Sequence, residues 1–278
     1  MASLTLRILG CGSSGGVPRV GSGWGACDPF NPRNRRRRCS LLVERRERQG
    51  EGQGEARGEG APTTVLVDTS PDLREQLIDA GVTRLDALLY THAHADHTHG
   101  IDDVRPLVIQ MRRRIPVHAD PLTRTLLTAR FGYAFETPPG SAYPPILDLH
   151  ELRAGEPVTI DGAGGTIEAV AFWMEHGNEA AHGFRFGPAA YAPDVSLMPE
   201  AAKAELRNLD LLIIDALREI PHPSHYSVSD ALALIEEVAP RRAILTNLHT
   251  DLDYATLARK LPPGVVPAHD GLSVAVDL

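Results

Sequence analysis

Thr91-His92-Ala93-His94-Ala95-Asp96-His97 is the stretch whose reading decides the fold of this chain. No single helix face gathers its ionisable side chains, because helical neighbours stand three and four residues apart and these stand two, two and one apart. An extended backbone does gather them: His92, His94 and Asp96 project to one side with period two, and a turn into a following helix brings His97 back to the same cavity. Imidazoles and a carboxylate in one place suit zinc, manganese or iron. A shuffled chain of this composition would hold the pattern on the order of once in a thousand. Four of the 12 histidines fall between positions 92 and 99, directly after the apolar strand expected from Ala87 to Tyr90.

Outward from this run, strands and helices alternate. Leu4 to Leu9 reads as a strand ending in Gly10-Cys11-Gly12-Ser13-Ser14-Gly15-Gly16, a backbone able to turn tightly and approach a ligand closely. Cys39 to Val43 pairs with Thr64 to Val67 as a hairpin. Between them, residues 44–62 are almost entirely Arg, Glu, Gln and Gly; they bury too little apolar surface to offset their ordering entropy and are expected to form a mobile hairpin insert. Ser70 is the expected N-cap of a helix with Pro71 at its first position and Gly81 at its end. Further strands are expected at Ile115–His118, Thr166–Phe172, Gly183–Phe186, Leu211–Ile214, Ala243–Thr246 and Ser273–Val276. Helices are expected at Pro121–Phe131, around Ala201–Leu206, and at Val228–Val238 behind a capping box of Ser227 and Asp230. The Pro-rich segment from Glu136 to Pro145 reads as a rigid loop, since periodic elements resume on both sides. The alternation, with no repeat and no composition break, predicts one α/β domain over residues 1–278.

With 278 residues, 42% of them hydrophobic, the chain can bury a full core. A net charge of -8 offers no field to concentrate DNA, and RNA is disfavoured for the same reason and for want of a long basic arm. No apolar run of membrane-spanning length and no export leader is present, and three cysteines make no disulfide framework, so the expected location is the cytoplasm. A homodimer is compatible with the sequence.

The H-x-H-x-D-H run after a strand resembles the signature of the metallo-β-lactamase superfamily, and the resemblance spans nearly the whole chain. It implies a four-layer αββα sandwich with two divalent ions, zinc or manganese, at the edge shared by the two sheets. By that resemblance His92, His94 and His176 would bind the first ion, Asp96 and His97 the second, and Asp194 would bridge them. The last ligand of the superfamily is a histidine after a strand and a threonine; here Asn247 occupies that position and His249 lies two residues on. His249 is the favoured ligand, because imidazole binds a borderline ion better than an amide oxygen does, with Asn247 or water as the alternative.

The glycine-rich run, the segment from Arg35 to Ser40 and His97 to Asp103 look like the phosphodiesterase branch, which includes the cyclic phosphoribosyl phosphodiesterase of the carbon-phosphorus lyase pathway and, more distantly, tRNA 3′ processing endonucleases. The nearer relative carries a structural zinc bound by several cysteines near Cys27; only Cys27 remains here, so no such zinc is expected. His225 matches a catalytic histidine presented just before a helix and would act as general acid, while Asp96 would orient a hydroxide held between the ions. Glycines 12, 15 and 16 are candidate phosphate-binding amides, and Arg35 to Arg38 a candidate steering patch for a second phosphate. The expected function is metal-dependent hydrolysis of small phosphodiesters, cyclic phosphoribosyl or nucleotide-like. An RNA 3′ processing nuclease, and a metal- or ligand-binding protein without turnover, are the alternatives, the latter because of Asn247.

Overall fold

The structure, a computed structural model, describes residues 2–47 and 60–278. One seven-stranded sheet contains β1 (Ala2–Gly10), β2 (Ser40–Glu47), β3 (Thr63–Val67), β4 (Ala87–Leu89), β5 (Ile115–Ala119), β6 (Leu147–Glu151) and β14 (Ser273–Asp277), in the order β14-β1-β2-β3-β4-β5-β6. The other contains β7 (Pro157–Ile160), β8 (Ile167–His176), β9 (Glu179–Phe186), β10 (Ala189–Ala192), β11 (Leu211–Asp215), β12 (Ala243–Thr246) and β13 (Val265–Pro267), ordered β13-β12-β11-β10-β9-β8-β7. Helices α1 (Leu73–Ala80), α2 (Ala95–Thr98), α3 (Arg105–Met111), α4 (Pro121–Phe135), α5 (Glu200–Glu205), α6 (Val228–Val238) and α7 (Tyr254–Lys260) complete the chain.

Three apolar cores separate these layers. Leu6, Ile8, Leu41, Val43, Val65, Phe184, Tyr191 and Ile213 interlock where the two sheets face each other. Leu73, Leu77, Val104 and Leu127 pack helices onto the outer face of the first sheet, and Ala202, Leu234 and Leu257 pack α5, α6 and α7 onto the second. The sandwich is therefore αββα. Strands buried on both faces read as continuous apolar runs, as in Thr63-Thr64-Val65-Leu66-Val67, where every residue is buried. Truncating one such side chain, for example Leu41→Ala, costs roughly 2–5 kcal/mol through lost transfer energy and the cavity left behind.

Strand polarity places the site. Strands β3 to β6 run parallel to one another, as do β10 to β13, so their C-terminal ends emerge together at one edge of each sheet. Ligands of open α/β sheets gather at such carboxyl edges.

The structure departs locally from the sequence expectations. The first helix begins at Leu73 with Asp72 at its N-cap, because Ser70 instead closes a turn through Leu73 N. Strand β2 continues through Glu47, as Glu44 and Arg45 pair with Thr64 and Thr63, so the insert is strand at its start; positions 48–59 of the expected mobile segment lie outside the described residues. Phe131, the expected end of α4, is a kink, and the helix resumes to Phe135. The histidine run is not extended to Asp96: α2 starts at Ala95 with His94 as its N-cap, so Asp96 and His97 lie on a helical turn. Strands β6, β7 and β13 and helices α3 and α7 went unpredicted, being short or weakly periodic.

Candidate metal centre

Segments from both sheets deliver the site. The loop after β4 carries His92 and His94, and α2 carries Asp96 and His97. His176 ends β8, Asp194 follows β10, Asp215 ends β11, and Asn247 follows β12. Ligating atoms of His92, His94 and His176 converge within 4.8 Å, as do those of His92, His97 and Asp194, and those of Asp194, Asp215 and His225. His94, Asp96, His176, Asp194, His225 and His249 line a cavity of about 290 Å³, with His92 and His97 buried behind them.

Each imidazole is fixed through one nitrogen, which leaves the other for the centre. His97 Nδ1 lies 2.7 Å from Asp68 Oδ2, His92 Nδ1 lies 2.9 Å from Thr91 Oγ1, and His176 Nδ1 donates to Ser224 O at 2.6 Å. His94 Nε2 meets Glu179 Oε2 at 3.0 Å, so its Nδ1 faces His176 Nε2 at 3.3 Å. Such outer partners set the tautomer and orientation of metal-ligating histidines. The inner Nε2 atoms of His92 and His97 are buried without a hydrogen-bond partner. His97 Nε2 sits 2.8 Å from Asp194 Oδ2, an ion-pair distance that lies off the hydrogen-bonding direction. Two orphaned, buried imidazole nitrogens beside a carboxylate are the donor set a borderline divalent ion requires, and these clusters could hold metal.

The electrostatics follow from burial and crowding. Burial, together with the neighbouring His97, pushes His92 well below the usual imidazole range. Burial also opposes charge on His97, but the carboxylates of Asp194, Asp68 and Asp96 outweigh it and raise that ring well above the usual range. Asp194 is likewise opposed by burial and is held well below the usual carboxylate range by His97, His225 and His92.

Around the second position, Asp96 Oδ2 approaches His97 Nε2 at 3.5 Å. Asn247 Nδ2 donates to Asp194 Oδ1 at 2.7 Å and to Asp215 Oδ1 at 3.1 Å. With two carboxylate oxygens as neighbours, the amide must present its NH2 group there. His249, the ligand favoured from sequence, lines the same cavity but belongs to none of the three clusters. Its Nε2 lies 2.5 Å from Arg19 Nη1 and its Nδ1 lies 3.0 Å from Asp251 Oδ2. The physical reason is Asn247, whose left-handed backbone (φ 60°) turns the chain before position 249, so the two side chains do not share a face as they would on extended backbone.

Sequence reasoning missed Asp68 and Asp215. Asp215 Oδ2 lies 2.8 Å from His225 Nδ1, a buried carboxylate behind a cavity-lining imidazole. Burial opposes charge on His225, and the hydrogen bond and charge of Asp215 overcome it, raising His225 to about 9. Both aspartates directly follow apolar strands, the signal that singled out Asp194.

Two other sequence candidates have different work. The amides of Gly12 and Gly16 donate to Arg37 O and Ser13 O, so they are not free for a phosphate. In the arginine run, Arg37 pairs with Asp79 and Asp270, Arg38 pairs with Asp72, and Arg35 lies over the Trp24 ring. Arg36 is buried and donates to the carbonyls of His249 and Leu252, close to Cys27 Sγ. The charges of Arg37 and Arg38 are thus already matched by carboxylates inside the protein.

A two-sheet sandwich with histidines and carboxylates converging at the carboxyl edge of its parallel strands defines the class of metallo-β-lactamase-type hydrolases. The chain belongs to the β-lactamase superfamily: residues 63–247 match the family described as "Beta-lactamase superfamily domain". It is similar to a solved structure described as a new diphosphatase from the PhnP family, at 34% identity and TM-score 0.84, over 99% of this chain and 98% of that one. Zn(2+)-bound PqqB from Methylobacterium extorquens shares the fold at 17% identity and TM-score 0.67, over 99% and 100% of the two chains. A curated protein named octanoyltransferase, from Porphyromonas gingivalis, is 31% identical over 275 residues, 97% of this chain and 51% of that protein. The chain thus spans about half the length of that relative. No helix among the described residues is long and apolar enough to cross a membrane.

Proposed function

We propose that this chain is a metal-dependent hydrolase that cleaves phosphorus–oxygen bonds in small phosphodiesters, of the cyclic phosphoribosyl or nucleotide-like kind. The observation that carries the reading is the pairing, across one cavity, of the inward-facing nitrogens of His92, His94, His97 and His176 with the Asp215–His225 pair. The similarity to a PhnP-family diphosphatase supports phosphoryl chemistry.

In this reading His92, His94, His176 and Asp194 would hold one divalent ion, zinc or manganese, and Asp96, His97 and Asp194 would hold a second. The chemistry such ions supply when bound is acidification of a coordinated water toward a pKa of about 7 and neutralisation of phosphoryl charge. Asp96, on the cavity wall, would orient the attacking water. His225, its Nδ1 proton engaged by Asp215, carries a second proton at Nε2 and delivers it to the departing alkoxide. Asn247 keeps Asp194 and Asp215 apart in charge by donating to both. The buried positions of His92, His97 and His176 exclude bulk water behind the reacting centre.

The test is hydrolysis of bis(4-nitrophenyl) phosphate by purified, metal-analysed protein, and the same assay with alkyl esters for His225→Ala. Turnover that requires metal, with a larger loss in the variant for poor leaving groups, is expected. Metal-loaded protein without turnover would favour a binding role, and equal loss across leaving groups would remove His225 from the acid role.

A further inference from the structure

The cavity holds a further imidazole, His222, that the hydrolytic reading leaves idle. Between β11 and α6 the chain makes a closed excursion. Leu217 N donates to Tyr226 O at 2.9 Å, Val228 N donates to Arg218 O at 3.0 Å, and the Arg218 guanidinium donates to the carbonyls of Ile220 and Pro221. His222, Ser224 and His225 of this excursion all line the cavity. Ser224 ties the excursion to the metal centre: its carbonyl accepts from His176 Nδ1 at 2.6 Å. At Gly177 a Cβ would stand 2.9 Å from Ser224 Cβ, so the glycine admits that approach.

Ser224 also sets the tautomer of His222. A backbone N–H only donates, so His222 Nδ1 accepts from Ser224 N at 3.3 Å, and Ser224 Oγ lies 3.2 Å from the same atom. Burial and the neighbouring charges of His225 and Arg218 push His222 below the usual imidazole range. The ring is therefore neutral near neutral pH and carries its one proton on Nε2. Among the described residues Nε2 meets no acceptor. The ring lies against His225, with centroids 5.2 Å apart.

His225, as proton donor, marks where the leaving oxygen stands. The N–H of the adjoining ring then faces the next part of the leaving group. A neutral donor with a single hydrogen suits an uncharged oxygen, whereas charged phosphoryl oxygens are better matched by ions and charged donors. On a sugar, the uncharged oxygen nearest a leaving oxygen is the hydroxyl on the neighbouring carbon.

We propose that His222, its Nδ1 held by Ser224, donates from Nε2 to a hydroxyl on the carbon next to the leaving oxygen, and so selects leaving alcohols that are vicinal diols. His222 is thus a specificity-determining residue. This rests on the phosphodiesterase reading and adds to it a feature of the leaving group.

The test compares adenosine 3′,5′-cyclic phosphate with its 2′-deoxy analogue, using metal-loaded full-length protein and scoring opening at the 3′ oxygen. Wild type should favour the ribose substrate by about fivefold or more in kcat/KM. His222→Ala and His222→Phe should erase that preference. His222→Gln, whose amide nitrogen can take the Nε2 position, should restore part of it. Equal kcat/KM in wild type, opening only at the 5′ oxygen, or equal loss on both substrates in His222→Ala overturns the inference and leaves the hydrolase reading standing. Should neither substrate be opened, bis(4-nitrophenyl) phosphate decides the hydrolase reading, and calorimetry with adenosine 5′-phosphate and its 2′-deoxy analogue decides the contact. Tighter binding of the ribose form, lost in His222→Ala, supports it; equal binding of the two, or no binding of either, overturns it.

Discussion

Asn247 Nδ2 donates to Asp194 Oδ1 at 2.7 Å, at the position where the superfamily signature has a metal-binding histidine. The asparagine therefore occupies one oxygen of the carboxylate that would bridge two ions, and it contributes a donor where a ligand is expected. In the two-ion reading the second position would be left with Asp96, His97 and Asp194, one imidazole against the three of the first.

Unequal metal affinity follows. Stepwise chelation of the loaded protein should release one ion readily and retain the other, and Asn247→His should tighten the weaker site. Histidine tolerates the left-handed backbone there better than most residues, so the substitution is sterically reasonable. Two ions leaving together in wild type would argue against this asymmetry.

His249→Ala should leave metal content as in wild type, whereas His97→Ala and His176→Ala should lower it. Elemental analysis of the three variants, purified identically, checks this. Loss of an ion in His249→Ala would return that residue to the ligand set.

The Asp215–His225 pair gives activity a sign with pH. His225 is raised to about 9, so its protonated, proton-donating form persists through neutral pH and is lost as pH climbs through that value. kcat for substrates with poor leaving groups should fall above about pH 9, and in Asp215→Asn the fall should move to lower pH. His225→Ala should cost about a hundredfold or more on such substrates. A basic limb unmoved by Asp215→Asn would separate the aspartate from the proton donor.

Far from the metal centre, Asp253 caps α7 by accepting from Thr256 N and also takes bonds from Asn34 Nδ2 and Asp28 N. Burial works against its charge, but these three donors outweigh it and hold the carboxyl down at about 2. Its folded value lies below the usual carboxylate range, so the stabilisation is present at neutral pH and is lost as pH falls through that range toward about 2. Asp253→Ala should lower stability by about 1 kcal/mol in urea unfolding at neutral pH, with a smaller difference at low pH. A difference that stays constant with pH would contradict the cap assignment.

Much of this was legible in the sequence because local chemistry and period agreed with the fold. The Ser227–Asp230 capping box starts α6 where the spacing places it, and the apolar runs of β3, β11 and β12 lie between packed faces. The candidate ligands that follow strands were visible as polar residues ending apolar runs. The same signal marked Asp68 in Val65-Leu66-Val67-Asp68 and Asp215 in Ile213-Ile214-Asp215, but without a histidine beside them in sequence it carried no weight. His249 shows the opposite failure, since its side-chain direction depends on one backbone angle at Asn247 that spacing alone does not contain. The pairing within the arginine run was not legible because its partners, Asp72, Asp79 and Asp270 among them, come from distant stretches of chain.

Counting zinc and manganese in protein purified without chelator, alongside His92→Ala, measures the centre itself. At least one ion per chain in wild type, and a clear loss in the variant, is the predicted result. A wild-type chain that carries no ion and takes up neither zinc nor manganese when they are supplied would contradict the account.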